Sequence, residues 1–386
     1  MEQGKNITLQ RLLLYNFKNY EEAELVFETE RIVCLLGHNG SGKTNLLDAI
    51  HYLCFTKSFF NPADSQNITS GHEQGSIAGE FDKDGHHEHI QIALRKSQRK
   101  VMKRNFKEYD RLSEHIGLLP AVMLTPYDIA LVWEGSEERR RFIDSAISQY
   151  SHAYLEHLVQ YNHALLQRNN LLKTFSARGG YHPTLLEPWD AHLIHHGSHL
   201  HSQRAAFLQS FVLVFKQVYD TISGGKELPD LLYASELNEK NFETLLLESA
   251  DKDRVLERTT QGIHKDDLDF VLDGRTLKKY ASQGQQKSYL IALKLAQLEW
   301  MKHNASLAPI LLLDDVFDKV DEQRVKQMMH WLIENHSGQV FITDTHPERM
   351  PALLNELGAG HDVWQVSDGK VEQQTHLMAK PLRLQH

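Results

Sequence analysis

Apolar and polar positions along the chain change period several times. Residues 9–17 and 23–27 alternate as half-buried strands do, while residues 31–36 (RIVCLL) form the nearly continuous apolar run of a strand covered on both faces. A glycine-rich turn follows, and residues 44–55 then place Leu46, Leu47, Ile50 and Leu53 at helical spacing. Residues 61–76 are polar and turn-rich and predict a surface loop, and residues 77–101 predict a β-meander. From about residue 137 the period lengthens. Phe142, Ile143, Ala146 and Ile147 mark one amphipathic helix, Tyr154, Leu155, Leu158, Tyr161 and Leu165 a second, and residues 189–219 a third. Glycine-bearing breaks at 177–180 and 223–225 separate them. Strand signals return at 269–272, followed by a helix at 285–302, an apolar run at 309–313 and a last strand at 339–343.

This order predicts an α/β head interrupted by helices, with residues 1–120 and 256–386 forming the two parts of the head and 121–255 an inserted helical domain. No heptad pattern lasts beyond about 30 residues, which limits any arm to roughly 45 Å. No internal repeat or low-complexity tract is present.

Gly37-His38-Asn39-Gly40-Ser41-Gly42-Lys43-Thr44 fits G-x-x-x-x-G-K-[ST], between a buried strand and a helix. In such a loop successive N–H groups point at a polyphosphate and the helix dipole favours negative charge. These eight residues are therefore the expected ATP site. Lys43 brings a point charge to the outer phosphates, and Thr44 is an expected Mg²⁺ ligand. The run Ile310-Leu311-Leu312-Leu313 ends in Asp314 and Asp315. A buried parallel strand delivers Asp314 to Mg²⁺, directly or through water, and Asp315 can polarise the attacking water. Ser282-Gln283-Gly284-Gln285 opens a helix about 30 residues earlier. By itself it would pass as a helix cap; placed between P-loop and Asp314-Asp315 it reads as a second anion site, and since the chain already has a complete P-loop, a partner subunit's nucleotide is its expected target.

The P-loop, Ser282–Gln285 and Asp314-Asp315 followed by Val320-Asp321 resemble the head of ABC-type ATPases. More narrowly, the chain resembles the RecF family of bacterial DNA replication and repair proteins. The stretches that carry the resemblance are 14–20 (LYNFKNY), 44–50 (TNLLDAI), 125–129 (TPYDI), 139–144 (RRRFID), 167–172 (QRNNLL), 264–268 (HKDDL), 282–287 (SQGQQK) and 312–317 (LLDDVF). The resemblance implies an ABC-type P-loop ATPase head with an inserted α-helical domain, and an ATP-driven homodimer that binds DNA at single-strand gaps or double-strand/single-strand junctions. It also implies a role in recombinational repair and the response to DNA damage, and mediator proteins as partners in recombinase loading. Weak DNA-dependent ATP hydrolysis would reset the switch. Asp321 falls in the family's D-loop, and His346 resembles a switch histidine, with a surface-loop role the alternative. Three positions depart from the family pattern. Phe60 stands where Arg is usual, Ile263-His264-Lys265 where Pro-His-Arg is usual, and His346 where Asp is common.

Charge then narrows the DNA question. The 386 residues hold 42 Lys+Arg against 51 Asp+Glu, a formal charge of −9, with 24 histidines. Residues 95–111, however, carry eight basic side chains against Glu108 and Asp110, a local +6. Lys100, Lys103 and Arg104 are the expected phosphate contacts. Arg139 and Arg140, beside Arg141, are further candidates, with intramolecular pairing of equal standing. His192, His195, His196 and His199 share one helical face and could hold Zn²⁺, but no cysteine or carboxylate completes the set, so the expected cofactors are ATP and Mg²⁺ alone. Cys34 and Cys54 lie in apolar stretches and read as buried thiols. No apolar run approaches the roughly 18 residues of a membrane span, and the first residues lack a secretory layout, so a cytoplasmic protein is expected. The rival readings are a transporter ATPase, a chromosome-tethering protein, which would need longer arms, and an ATP-binding clamp without useful turnover.

Overall fold

The computed structural model describes residues 5–27, 30–178, 180–305, 307–317, 320 and 322–374. In chain order the strands and helices are β1 (Lys5–Phe17), β2 (Tyr20–Val26), β3 (Ile32–Leu36), α1 (Lys43–Phe55), β4 (Gln74–Lys83), β5 (His86–Arg95), β6 (Val101–Arg104), β7 (Lys107–Glu108) and β8 (Ala121–Leu124). Then come α2 (Ala130–Trp133), α3 (Ser136–Ser148), α4 (His152–Arg178), α5 (Glu187–Ser223), β9 (Pro229–Ala234), α6 (Phe242–Leu256), β10 (Asp267–Leu272), β11 (Arg275–Thr276) and α7 (Leu277–Tyr280). The chain ends with α8 (Gln283–Ala305), β12 (Leu307–Ala308), β13 (Ile310–Leu313), α9 (Glu322–Asn335), β14 (Val340–Asp344), α10 (Arg349–Glu356), β15 (His361–Ser367) and β16 (Lys370–Gln374).

Two compact units divide the chain. The first comprises residues 1–128, 221–224 and 290–386, the second residues 129–220 and 225–289. The stretch 256–289, expected in the head, thus clusters with the helices, because β10 pairs with β9 and β11 in a three-stranded sheet of the second unit.

The first unit holds two sheets. One runs β12-β1-β4-β5-β6-β7 with β2 alongside β1, and is antiparallel except where β12 joins β1. Its strand β5 buries alternate residues, as a sheet with one covered face requires. The other runs β16-β15-β3-β14-β13-β8 and is parallel except for β16. Strands β3, β8, β13 and β14 are buried at every position, which is why they read as unbroken apolar runs. Helix α1 touches β4 and β5 of the first sheet and β8 and β14 of the second, and its Leu46, Leu47, Ile50 and Leu53 enter the shared core.

The sequence reading needs three corrections here. Strand β14 is not the last, since β15 and β16 follow and β15 lies beside β3. The alternation of Val363, Trp364, Gln365 and Val366 carries that strand, with Trp364 and Val366 buried. Residues 61–76 are not wholly surface, because Asn67 and Ile68 are buried. Helix α5 has 37 residues, about 55 Å, beyond the arm length expected from heptads.

In the second unit two arginines are buried among carboxylates. Arg168 binds Asp190 and Asp253, each at 2.6 Å, and Arg204 binds Asp144 at 2.8 Å and Asp266 at 3.1 Å. Each guanidinium faces two carboxylates, which offsets part of the cost of desolvating it. Cys34 and Cys54 are buried and unpaired as disulfides, as expected, and burial raises both thiols well above their usual range. No helix among the described residues is long and apolar enough to cross a membrane.

Candidate functional site

Three neighbouring parallel strands deliver the site. Strands β13, β14 and β3 lie side by side, and their carboxyl ends lead into Asp314, Asp344 and the P-loop. The carboxyl edge of such a sheet is where loops of different strands converge. Gly42 caps α1 with φ 116°, and no side chain caps the helix; the Asn45 N–H turns back to the Gly42 carbonyl at 2.9 Å, which leaves the N–H groups of Lys43 and Thr44 to face an anion. The loop is braced from the β1–β2 turn: Tyr20 Oη donates to the Gly42 carbonyl at 3.0 Å, and Asn19 Nδ2 to the Ser41 carbonyl at 3.2 Å. Lys43 Nζ donates to the carbonyls of Gly37 (2.8 Å) and His38 (3.0 Å), which folds the ammonium over its own loop. Ser41 Oγ is buried without a hydrogen-bond partner among the described residues.

Thr44 Oγ1 lies 2.9 and 3.1 Å from the two carboxylate oxygens of Asp314. Thr343 Oγ1 donates to Asp314 at 2.9 Å and accepts the Asp315 N–H at 2.9 Å. Burial raises the Asp314 carboxyl above its ordinary range, while the Thr343 and Thr44 hydroxyls oppose that rise and Asp315 adds to it. Asp315 adopts the left-handed conformation, φ 45°, which Asp tolerates better than most residues. These groups border an open cleft of about 990 Å³, also lined by Lys18, Asn45, Phe60 and Tyr127. Phe60 offers its ring to the Lys18 ammonium at 5.3 Å and packs edge-on against Tyr127. Phe60 and Tyr127 thus form an aromatic wall of the cleft. Residues 66 and 68–71 of the supposed surface loop also border the cleft.

His346 follows β14 with its side chain largely exposed, and its N–H donates to Asp344 at 2.9 Å. Asp344 is fully buried and chelated by Arg349, with both bonds at 2.8 Å. Asp321 lies outside the described residues. Sequence reading missed Thr343, the residue that joins Asp314 to Asp315, and Lys18, which pairs with buried Asp48. A threonine one residue before the end of an apolar strand carries little signal on its own; the register Leu313↔Ile342 is what brings it beside Asp314.

In the second unit, Ser282 and Gln285 form a reciprocal cap. Gln285 N–H donates to Ser282 Oγ at 3.2 Å, and Ser282 N–H to Gln285 Oε1 at 2.8 Å. Ser282, Gln283 and Gly284 are exposed.

The expected DNA contacts fare unevenly. Lys100 is paired with Asp64 at 2.9 Å, and Arg104 with Glu88 through Nε at 2.8 Å. Arg139 grips Asp267 through two bonds of 2.6 and 3.0 Å, and Arg140 binds Ser136 Oγ and the Asp266 carbonyl, each at 2.6 Å. These four cations are committed within the fold. Arg95, Arg99, Lys103 and Lys107 make no ion pair among the described residues, and all but the half-buried Lys103 are exposed.

Comparison with known proteins places this arrangement. A family model described as the RecF/RecN/SMC N-terminal domain matches residues 8–360. The Smc head domain of Pyrococcus furiosus superposes with a TM-score of 0.58 at 18% identity, over 95% of this chain and 96% of that one. The class is thus an ABC-type ATPase head. Proteins named DNA replication and repair protein RecF are similar to the chain over most of its length: that of Flavobacterium johnsoniae at 46% identity (90% of this chain, 96% of that protein) and that of Parabacteroides distasonis at 44% (94% and 98%). A solved structure described as the recombination mediator protein RecF-ATP in the RecFOR pathway superposes with a TM-score of 0.87 at 27% identity, over 97% of this chain and 99% of that one. The chain belongs to the RecF family.

Proposed function

We propose that the chain is an ATP-gated DNA-binding switch of recombinational repair. The observation that carries this reading is the contact of Thr44 with Asp314 beside Lys43 at an uncapped helix N-terminus. Residues 37–44 bind the phosphates of ATP through backbone N–H groups, and Lys43 leaves its loop carbonyls for the outer phosphates. The orphaned Ser41 hydroxyl and the hard oxygen donors of Thr44 and Asp314 fit a nucleotide with Mg²⁺. When bound, the ion would neutralise charge that develops on the phosphates. Asp315 orients water, with its backbone held by Thr343. Ser282, Gln283, Gly284 and Gln285 close on the nucleotide of a second copy, with Asp321 and His346 at the same interface. Hydrolysis is slow and opens the dimer.

DNA gaps or double-strand/single-strand junctions are the target, and recombination mediator proteins the partners, in a cytoplasmic setting. Of the expected phosphate contacts, Lys103 retains that role together with Arg95, Arg99 and Lys107, while Lys100 and Arg104 position the surface and Arg139 and Arg140 hold the second unit together. Measuring oligomeric state and gapped-DNA binding with ATP, with ADP, and for Lys43→Met and Ser282→Arg tests the switch. ATP alone should support dimers and tight DNA binding in the native chain, and both variants should fail. Indifference to all of these conditions overturns the reading. Replacing Arg95, Arg99, Lys103 and Lys107 by Ala should flatten the logarithmic salt dependence of DNA binding by roughly three to four. An unchanged slope removes this surface from the DNA interface.

A further inference from the structure

The histidines of α5 do not stand alone. Helix α4 brings His157 against them, so that one nitrogen from each of His157, His195 and His196 lies within 4.8 Å of the others. His157 Nδ1 and His196 Nδ1 are 2.9 Å apart. The His157 ring stacks on His199 with centroids 4.0 Å apart, and His192 stacks on His196. We propose that His157, His195 and His196 form a binding site for a divalent transition-metal ion, zinc in the first instance, that staples α4 to α5.

The chemistry follows from the ligand set. Imidazole nitrogens favour borderline ions such as zinc, cobalt, nickel or copper over magnesium and calcium, which seek oxygen. Tetrahedral zinc with bonds near 2.0–2.1 Å places its ligand nitrogens about 3.3 Å apart. The His157–His196 pair opens by about 0.4 Å to reach that spacing, and His195, the exposed member, closes by up to about 1.5 Å through rotation of its ring. A metal takes up neutral imidazole, whose unprotonated ring nitrogen brings the lone pair. Three protein ligands leave a fourth position for water or an exchangeable group. The site uses none of the groups proposed for ATP, whose magnesium would be held by oxygen.

The test uses the full chain without an affinity tag, titrated with Co²⁺ in excess Mg²⁺ and then with Zn²⁺. One Co²⁺ per chain should bind at micromolar free metal, with the visible absorption of a nitrogen-ligated ion that Zn²⁺ abolishes. Zn²⁺ should raise the melting temperature of the native chain. His157→Ala and, as a milder second change, His196→Gln should each weaken uptake by at least roughly 100-fold and remove the melting shift, while keeping the native helical circular dichroism. Uptake that is absent, that exceeds one ion per chain without saturating, or that is unchanged in a folded His196→Gln variant overturns the proposal.

Discussion

A methyl group added at Gly42 would sit 2.5 Å from Asn19 Nδ2 and 2.6 Å from Tyr20 Oη, whereas one added at Gly284 would meet nothing nearer than Ser282 Oγ at 4.0 Å. Both glycines stand at helix N-termini proposed to meet phosphate. At Gly42 the fold itself demands glycine, through φ 116° and the crowding from the β1–β2 turn. At Gly284, in the first turn of α8, neither a positive φ nor crowding by the described residues demands it. The first loop is braced by its own unit, while the second is exposed, as the proposed closure on a second copy requires. Glycine at such a position leaves room for the close approach of a ligand or another backbone.

This contrast can be broken experimentally. Lys43→Met should have the largest effect. ATP affinity should fall by roughly 100-fold, about 2.7 kcal/mol, in equilibrium dialysis, because Lys43 is the cation folded over the loop. Gly42→Ala comes next: about 3 kcal/mol lost in urea unfolding, from left-handed strain together with overpacking. A loss below about 1 kcal/mol would show that the brace yields.

Acid probes the same unit. His51 on α1 is held unprotonated to about pH 4 by burial, His115 likewise to about 4, and His336 to about 3. The unfolded chain takes up these protons near pH 6.5, so their contribution is fully present above about 6.5 and is lost as pH falls toward 4. Stability measured by urea unfolding should drop steeply across that window. A flat profile would place these rings in contact with water. The same burial limits the gain in positive charge, and hence in DNA affinity, that 24 histidines suggest for mild acid.

The smallest effects on stability belong to the exposed turn. Ser282→Ala removes the reciprocal cap and should cost about 1 kcal/mol. Gly284→Ala should stabilise the isolated chain by about 0.5 kcal/mol yet abolish ATP-dependent dimers in light scattering. Dimers that survive Gly284→Ala would end the contrast.

Much of the first unit was legible in the sequence, since parallel strands buried on both faces leave apolar runs and the P-loop has a fixed spacing. Less was visible where one face decides. Strand β15 was missed although Trp364 and Val366 alternate, and the loop at 61–76 gave no sign that Asn67 and Ile68 are buried. The basic segment showed its charge but not its pairing. Lys100 and Arg104 looked like Lys103 until Asp64 and Glu88 were seen opposite them. The helical face carrying His195 and His196 was legible, whereas His157, 38 positions before His195, was not.

What the sequence determined by itself is local and periodic: the buried strands, the P-loop, the acids that end β13 and the cap that opens α8. Each depends on residues within a turn or two of one another, so spacing suffices. The tertiary structure alone decided which distant side chains meet: Thr343 with Asp314, Arg139 with Asp267, and His157 with His196. Those meetings depend on strand register and helix pairing. They are set by the summed burial of whole faces, and no single residue announces them.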